Sequence, residues 1–180
     1  MKKILTIATL PLLAIVLSAC ATFSNDLVSV AGVVTGLDET SILETAVVQE
    51  GLAGVLADEA AEFTVFAPTN DAFAAFLDDA GLTAADLLAL GALDQVLLYH
   101  VVSGTFTSAD VVAAVEAADP DPFTVTTVQG GTIDITVEDG DVTLTDATGT
   151  SMTVVDPDKL ASNGVVHLID YVLFDAAFLP

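Results

Sequence analysis

A single change of hydrophobic period constrains this chain more than any other feature. Ahead of Asp119-Pro120-Asp121-Pro122 most apolar residues recur at helical spacing, and behind it they alternate with Thr or acidic residues at a period of two. From Asp38 on, Ile42, Leu43, Ala46 and Val47 fall on one helical face, and Gly51 stands where a helix ends in the left-handed conformation. A short strand is predicted over Phe63–Ala67, stopped by Pro68. Thr69 or Asn70 then caps a helix whose first turn gains a favourable charge from Asp71 and whose apolar stripe is Phe73, Phe76 and Leu77. Further helices are predicted at about 83–90, 92–99 and 107–118. Strands are predicted over Phe123–Val128, Thr132–Val137, Val142–Thr145 and Met152–Val155, with a hairpin turn at Asp139-Gly140 and one or two closing strands in Val165–Phe174. Helices first and strands later predict a segregated α+β fold with an antiparallel sheet. Because the strand at 63–67 must join a sheet made mostly by the other half, the two halves form one domain, expected over residues 27–176.

The N-terminus has a different character. Lys2 and Lys3 precede the apolar run Ile4–Val16, which is interrupted by Pro11 and too short to span a bilayer comfortably, so residues 1–19 read as a signal peptide. The run ends in Leu17-Ser18-Ala19-Cys20, which resembles the lipobox of bacterial lipoproteins; cleavage would leave lipidated Cys20 first, followed by a short polar tether to residue 26. Ala19-Cys20-Ala21 also satisfies a small-x-small cleavage rule, which would instead give a freely secreted protein. Cys20 is the only cysteine, so no internal disulfide is possible.

Taking residues 1–19 from the 180 leaves 161, enough for one well-buried domain. Lys159 is then the sole cation against 26 carboxylates, a net charge near −25. Such a surface repels nucleic acid and anionic headgroups, so membrane contact is expected through the lipid alone. The acidity fits either a basic partner or adaptation to a salty habitat.

Three segments carry a family resemblance. Phe63-Thr64-Val65-Phe66-Ala67-Pro68-Thr69-Asn70-Asp71-Ala72-Phe73 resembles the first conserved box of fasciclin-like domains, and Asn163-Gly164-Val165-Val166-His167-Leu168-Ile169-Asp170-Tyr171-Val172-Leu173 resembles the second. Between them, Leu97-Leu98-Tyr99-His100-Val101-Val102 is similar to the family's tyrosine–histidine segment. The resemblance implies a wedge-shaped β-sandwich with helices clustered on one side, and a role in adhesion or matrix contact without common catalysis.

It also implies candidate sites. Tyr99 and His100 would belong to a protein-binding surface, as in animal adhesive members; their apolar neighbours argue instead for rings in the core and bonded polar tips. Asp158-Lys159-Leu160 lies where the family has an aspartate–aliphatic adhesive motif, with Asp158 and Leu160 matching and Lys159 replacing an isoleucine; turn chemistry after Pro157 is the simpler account of Asp158. Thr69, Asn70 and Asp71 read as helix-start residues and Asn163-Gly164 as part of the second box. His167 is expected to tie the closing strand to the first box by a hydrogen bond. Asp170, three residues further on, faces the opposite side and forms no dyad with it.

No nucleophile elbow, zinc motif or phosphate loop is present, and a triad from Ser103, Ser108, His100, His167 and Asp170 needs a geometry the sequence does not indicate. No cofactor or dedicated metal site is expected, since Asp139-Gly140-Asp141 and Asp156-Pro157-Asp158 read first as turns; weak divalent-cation bridging to anionic polymers fits the acidity. The expectation is an envelope lipoprotein binding a protein or matrix macromolecule, with Ala21 favouring the outer membrane. A glycan or small-ligand module is the alternative, weakened by the absence of Trp. A hydrolase stands behind both.

Overall fold

The computed structural model describes residues 27–81, 83, 93–118, 121–138 and 140–175. The signal segment, Cys20 and the tether lie outside these residues, as does nearly all of the helix expected at 83–90.

The helical half opens with α1 (Val30–Thr35), capped by Ser29, whose side chain accepts from the Gly32 amide. A 3-10 turn at Asp38–Thr40 leads into α2 (Ser41–Gln49), which buries Leu43, Ala46 and Val47 and ends before Gly51 at φ 68°. A single turn, α3 (Ala53–Leu56), follows. Strand β1 (Phe63–Pro68) feeds α4 (Asn70–Ala80), then α5 (Leu93–Tyr99), β2 (Val101–Ser103) and α6 (Ser108–Ala118). The strand half comprises β3 (Phe123–Thr126), β4 (Thr132–Glu138), β5 (Asp141–Thr145), β6 (Ser151–Ala161) and β7 (Gly164–Ile169).

These strands form one seven-stranded sheet in the order β2-β1-β7-β6-β5-β4-β3. The early strand does join the later half: β1 lies parallel to β7 from Phe63↔Gly164 to Pro68↔Ile169, while every other neighbouring pair is antiparallel. The sheet curls until its outer strands meet at an isolated bridge between Val102 and Thr127, beside a 2.7 Å bond from the Val128 amide to the Val101 carbonyl. The fold is therefore α+β with a nearly closed sheet.

One apolar cluster fills it, running from Val30, Leu43 and Phe73 on the helices to Ile133, Leu144 and Leu168 on the strands. Each fully buried aliphatic side chain contributes roughly 1.5–3 kcal/mol. β1 and β7 are buried at every position, which explains why both read as continuous apolar runs. Gly164 is fixed by their approach: an added Cβ would lie 1.8 Å from the Phe63 carbonyl oxygen.

Several elements differ from the periodicity. α1, α3 and β2 are only six, four and three residues long, too short for a period to register. β6 continues past its expected end at Val155 to Ala161, through Pro157, because two register shifts accommodate a residue with no amide to donate. β7 stops at Ile169; Val172 and Leu173 beyond it are fully buried in an irregular segment, so their apolar character reflects the core rather than a strand. Among the described residues no helix is long and apolar enough to cross a membrane.

Candidate functional site

The irregular part of β6 gathers more of the candidate residues than any other segment. Its first residues pair with β5, the rest with β7, and the register slips between Val154 and Asp156 and again between Asp156 and Lys159. Asp158 at the second slip has φ 59°, a left-handed conformation that costs a non-glycine residue roughly 1–2 kcal/mol. Two contacts hold it there. Its amide donates to His167 Nδ1 at 3.2 Å, and its carboxylate reaches the start of α6, accepting from the Ser108 amide at 2.8 Å and from the Ser108 hydroxyl. Asp158 is thus a helix cap supplied from another element, adding to the local cap in which Thr107 and Asp110 bond one another. Those bonds hold the Asp110 carboxyl below its ordinary range, the hydroxyl of Thr107 being the larger cause.

Around this bulge the surface is open and partly apolar. Val155 and Leu160 are 54% and 55% exposed. Val155 is shared by two grooves. One, about 630 Å³, runs between α6 and β6 over Val112, Val142, Val154 and Pro157. The other, about 880 Å³, lies towards α4 and carries Asp38, Asp71, Asp156 and Asp170. Lys159 contacts Asp156 at 2.6 Å.

His167 sits beneath the bulge, nearly inaccessible. Nε2 donates to the Phe106 carbonyl at 2.8 Å while Nδ1 accepts from Asp158, an arrangement that fixes a neutral ring. Burial lowers its pKa, outweighing the Phe106 carbonyl and the Asp158 charge, which favour the proton. The expected hydrogen bond to the first box is not made. The β1–β7 ladder already joins the boxes through the backbone, and the ring meets the first box by stacking on Phe66 at 5.8 Å.

Tyr99 and His100 require a correction as surface candidates. Tyr99 is wholly buried and His100 is 2% exposed, so neither presents a ring to a partner. The Tyr99 hydroxyl donates to the Thr132 carbonyl and accepts from the Ala147 amide, and burial is the main cause raising its pKa. His100 Nδ1 donates to the Val96 carbonyl at 2.7 Å, while Nε2 accepts from the Leu173 amide at 3.0 Å. Complete burial pushes His100 down to about 4. With both imidazoles bonded to backbone at both nitrogens, and Ser108 bonded to Asp158, the hydrolytic grouping is not assembled.

The box residues brace the fold. Thr69 caps α4 through the Ala72 amide, and exposed Asp71 lies in that helix's first turn. Asn70 caps a different helix from the one expected: its side-chain oxygen accepts from the Ile42 amide of α2 while its nitrogen donates to the Asp38 carbonyl. Buried Asn163 joins α1 to the chain before β1, accepting from Val30 and donating to the Leu56 and Asp58 carbonyls. Asp170 accepts from the Thr153 amide at 2.7 Å and does not meet His167. Among the described residues no cluster of three or more His, Cys, Asp or Glu is placed to hold a metal, and Asp139 lies outside them.

Sequence reasoning missed Asp146, a buried carboxylate that accepts from Thr148 and Thr150 and, through its other oxygen, from the Phe174 amide. The turn composition Asp146-Ala147-Thr148-Gly149 was its available signal. It also missed Val155, and it weighed Ser108 only as a triad member rather than as the partner of Asp158 at the start of α6, a role for which only the bulge provides a reason.

Comparison with known proteins agrees with this geometry. The Fasciclin domain family profile matches residues 38–175. In Synechocystis sp. (strain ATCC 27184 / PCC 6803 / Kazusa), Protein sll1483 is 38% identical over 160 residues, 88% of this chain and 78% of its own length. Uncharacterized protein sll1735 from the same organism is 33% identical over 135 residues, 74% of this chain and 87% of its own. A solved FAS1 domain pair from the insect cell adhesion molecule Fasciclin I matches with a TM-score of 0.70 at 18% identity, covering 85% of this chain. This chain spans about half (53%) of that one, so the likeness is one of fold. With a profile match over most of its length and its two boxes laid side by side as β1 and β7, this chain belongs to the fasciclin domain family, a family associated with adhesion or interaction.

Proposed function

We propose that the chain is a cell-envelope lipoprotein, anchored through Cys20, that binds a protein or matrix macromolecule with the bulged face of β6. The observation that carries this reading is Val155, more than half exposed and lining two open grooves, with Leu160, equally exposed, further along the same irregular strand. A strand interrupted in this way cannot extend its ladder regularly to another chain, so the contact is made by side chains. Asp158, itself exposed, braces this face through its bonds to Ser108, and Leu160 supplies part of its apolar area. The lipobox supports the anchor, and Ala21 supports an outer-membrane destination.

Full-length protein carrying Val155→Asp and Leu160→Asp tests the contact. Both residues are exposed, so the fold is expected to persist while capture of envelope and matrix components by the immobilised protein falls at least about tenfold, the loss expected when a central apolar anchor is removed. Undiminished capture by the folded variant rejects this face. Mass analysis of the processed N-terminus tests the anchor separately: diacylglyceryl on Cys20 is expected, and an unmodified chain beginning at Thr22 supports the freely secreted form. Binding to anionic polymers is expected to need Ca²⁺; full binding in chelator at low salt removes cation bridging from the account.

A further inference from the structure

The β6 bulge has a conformational device beneath it. His167 Nδ1 is the acceptor that holds the Asp158 amide, and Asp158 is held in a left-handed conformation while its carboxylate is drawn to α6. A proton entering Nδ1 removes that acceptor and sets two donors against each other. The same proton creates an imidazolium next to a carboxylate currently bonded to Ser108. Asp158 therefore has two competing partners, the neutral start of α6 and the charged form of His167.

We propose that His167 is a proton-operated latch on the β6 face: when it is neutral, Asp158 is pinned to α6, and when it is protonated, Asp158 leaves Ser108 for the imidazolium and the α6–β6 groove is remodelled. The inference regulates the same surface assigned above and rests on that reading for its biological meaning. The latch is geometrically self-contained. Groove residues Ser108 and Pro157 flank Asp158 in space or sequence, so its departure alters their boundary. A small cavity of about 10 Å³ is lined by His167, Ser108, Val111 and Pro157, which places the ring next to the start of α6 and the bulge.

Charged groups on the neighbouring elements define what the proton meets. On β6, Asp158 faces His167 directly, while Asp156 is paired with Lys159. On α6, Asp110 is bonded to Thr107. β1 presents the Phe66 ring, the segment before α6 presents the Phe106 carbonyl, and on β7 itself the next ionisable residue, Asp170, is bonded to Thr153. Asp158 is thus the carboxylate able to change partner. Because Thr107 and Asp110 still cap α6 after release, the predicted change is confined to the start of the helix.

The mature chain labelled with ¹⁵N, taken from pH 8 towards pH 4.5, tests the latch without any partner. The Asp158 and Ser108 amide resonances are expected to move with the midpoint of the His167 ring, with about tenfold loss of exchange protection at Ser108, the scale of one charge-assisted bond. Val65 and Val166 amides are expected to remain protected. Asp158→Asn retains an acceptor for Ser108 but has no charge to offer the imidazolium, so its Ser108 protection should become insensitive to pH over this range. His167→Gln should abolish the coupled midpoint. The latch is overturned if Ser108 loses equal protection in Asp158→Asn, or if it opens together with the β1 and β7 amides. The β6 contact claim is tested separately by the Val155 and Leu160 substitutions.

Discussion

β7 and β6 are adjacent antiparallel strands, yet they obey different rules. Every residue of β7 is buried, flanked by β1 and β6, and its register against β1 runs without interruption for six pairs. β6 changes partner partway, slips twice and leaves Val155 and Leu160 exposed. The first strand tolerates almost no change because core packing and backbone ladder coincide there. The second is held at a few points by hydrogen bonds and so can carry variation and function. Their meeting point is His167, rooted in β7 and bonded to β6.

The sharpest test of this contrast is Gly164→Ala. Its methyl would collide with the Phe63 backbone, which cannot swing aside as a side chain can, so a loss above about 4 kcal/mol in chemical denaturation is expected. A smaller loss would show that the β1–β7 ladder yields more readily than its geometry implies. Asn163→Ala, just before β7, removes the partner of the buried Val30 amide and Leu56 carbonyl and one partner of the part-buried Asp58 carbonyl, and should cost roughly 3 kcal/mol.

Acid provides a third test. His100 titrates near 6.5 when unfolded and near 4 when folded, so between these values the unfolded chain binds more protons. Its contribution to stability is complete above about pH 6.5 and declines as pH falls through that window, by up to about 3 kcal/mol near pH 4. His167 acts in the same direction. At high salt, which screens the relief of carboxylate repulsion, urea midpoints from pH 7 to 4.5 should therefore fall, and a flat profile there would contradict buried neutral rings. The smallest effect belongs to β6: Lys159→Met removes an exposed ion pair and should change stability by less than about 1 kcal/mol.

The same contrast explains what was legible in the sequence. β1, β7 and α2 could be read because burial on both faces, or on one helical face, leaves a run or period long enough to recognise. Capping at Thr69 was equally legible because its bond is local. Asn70, Asp158 and Asn163 act on elements 28, 50 and 133 residues away, a distance that no local pattern encodes. The burial of Tyr99 was favoured by its apolar neighbours, although the resemblance offered a surface role. The bulge in β6 was hidden because Pro157 reads locally as the end of a strand.

The bridge between Val102 and Thr127 has a consequence for behaviour in a crowd. By bringing the two outermost strands together, it withdraws backbone groups that would otherwise template the addition of strands from other molecules. Copies packed densely, with little charge repulsion left at high salt, would then meet as finished bodies rather than as seeds for a growing fibre.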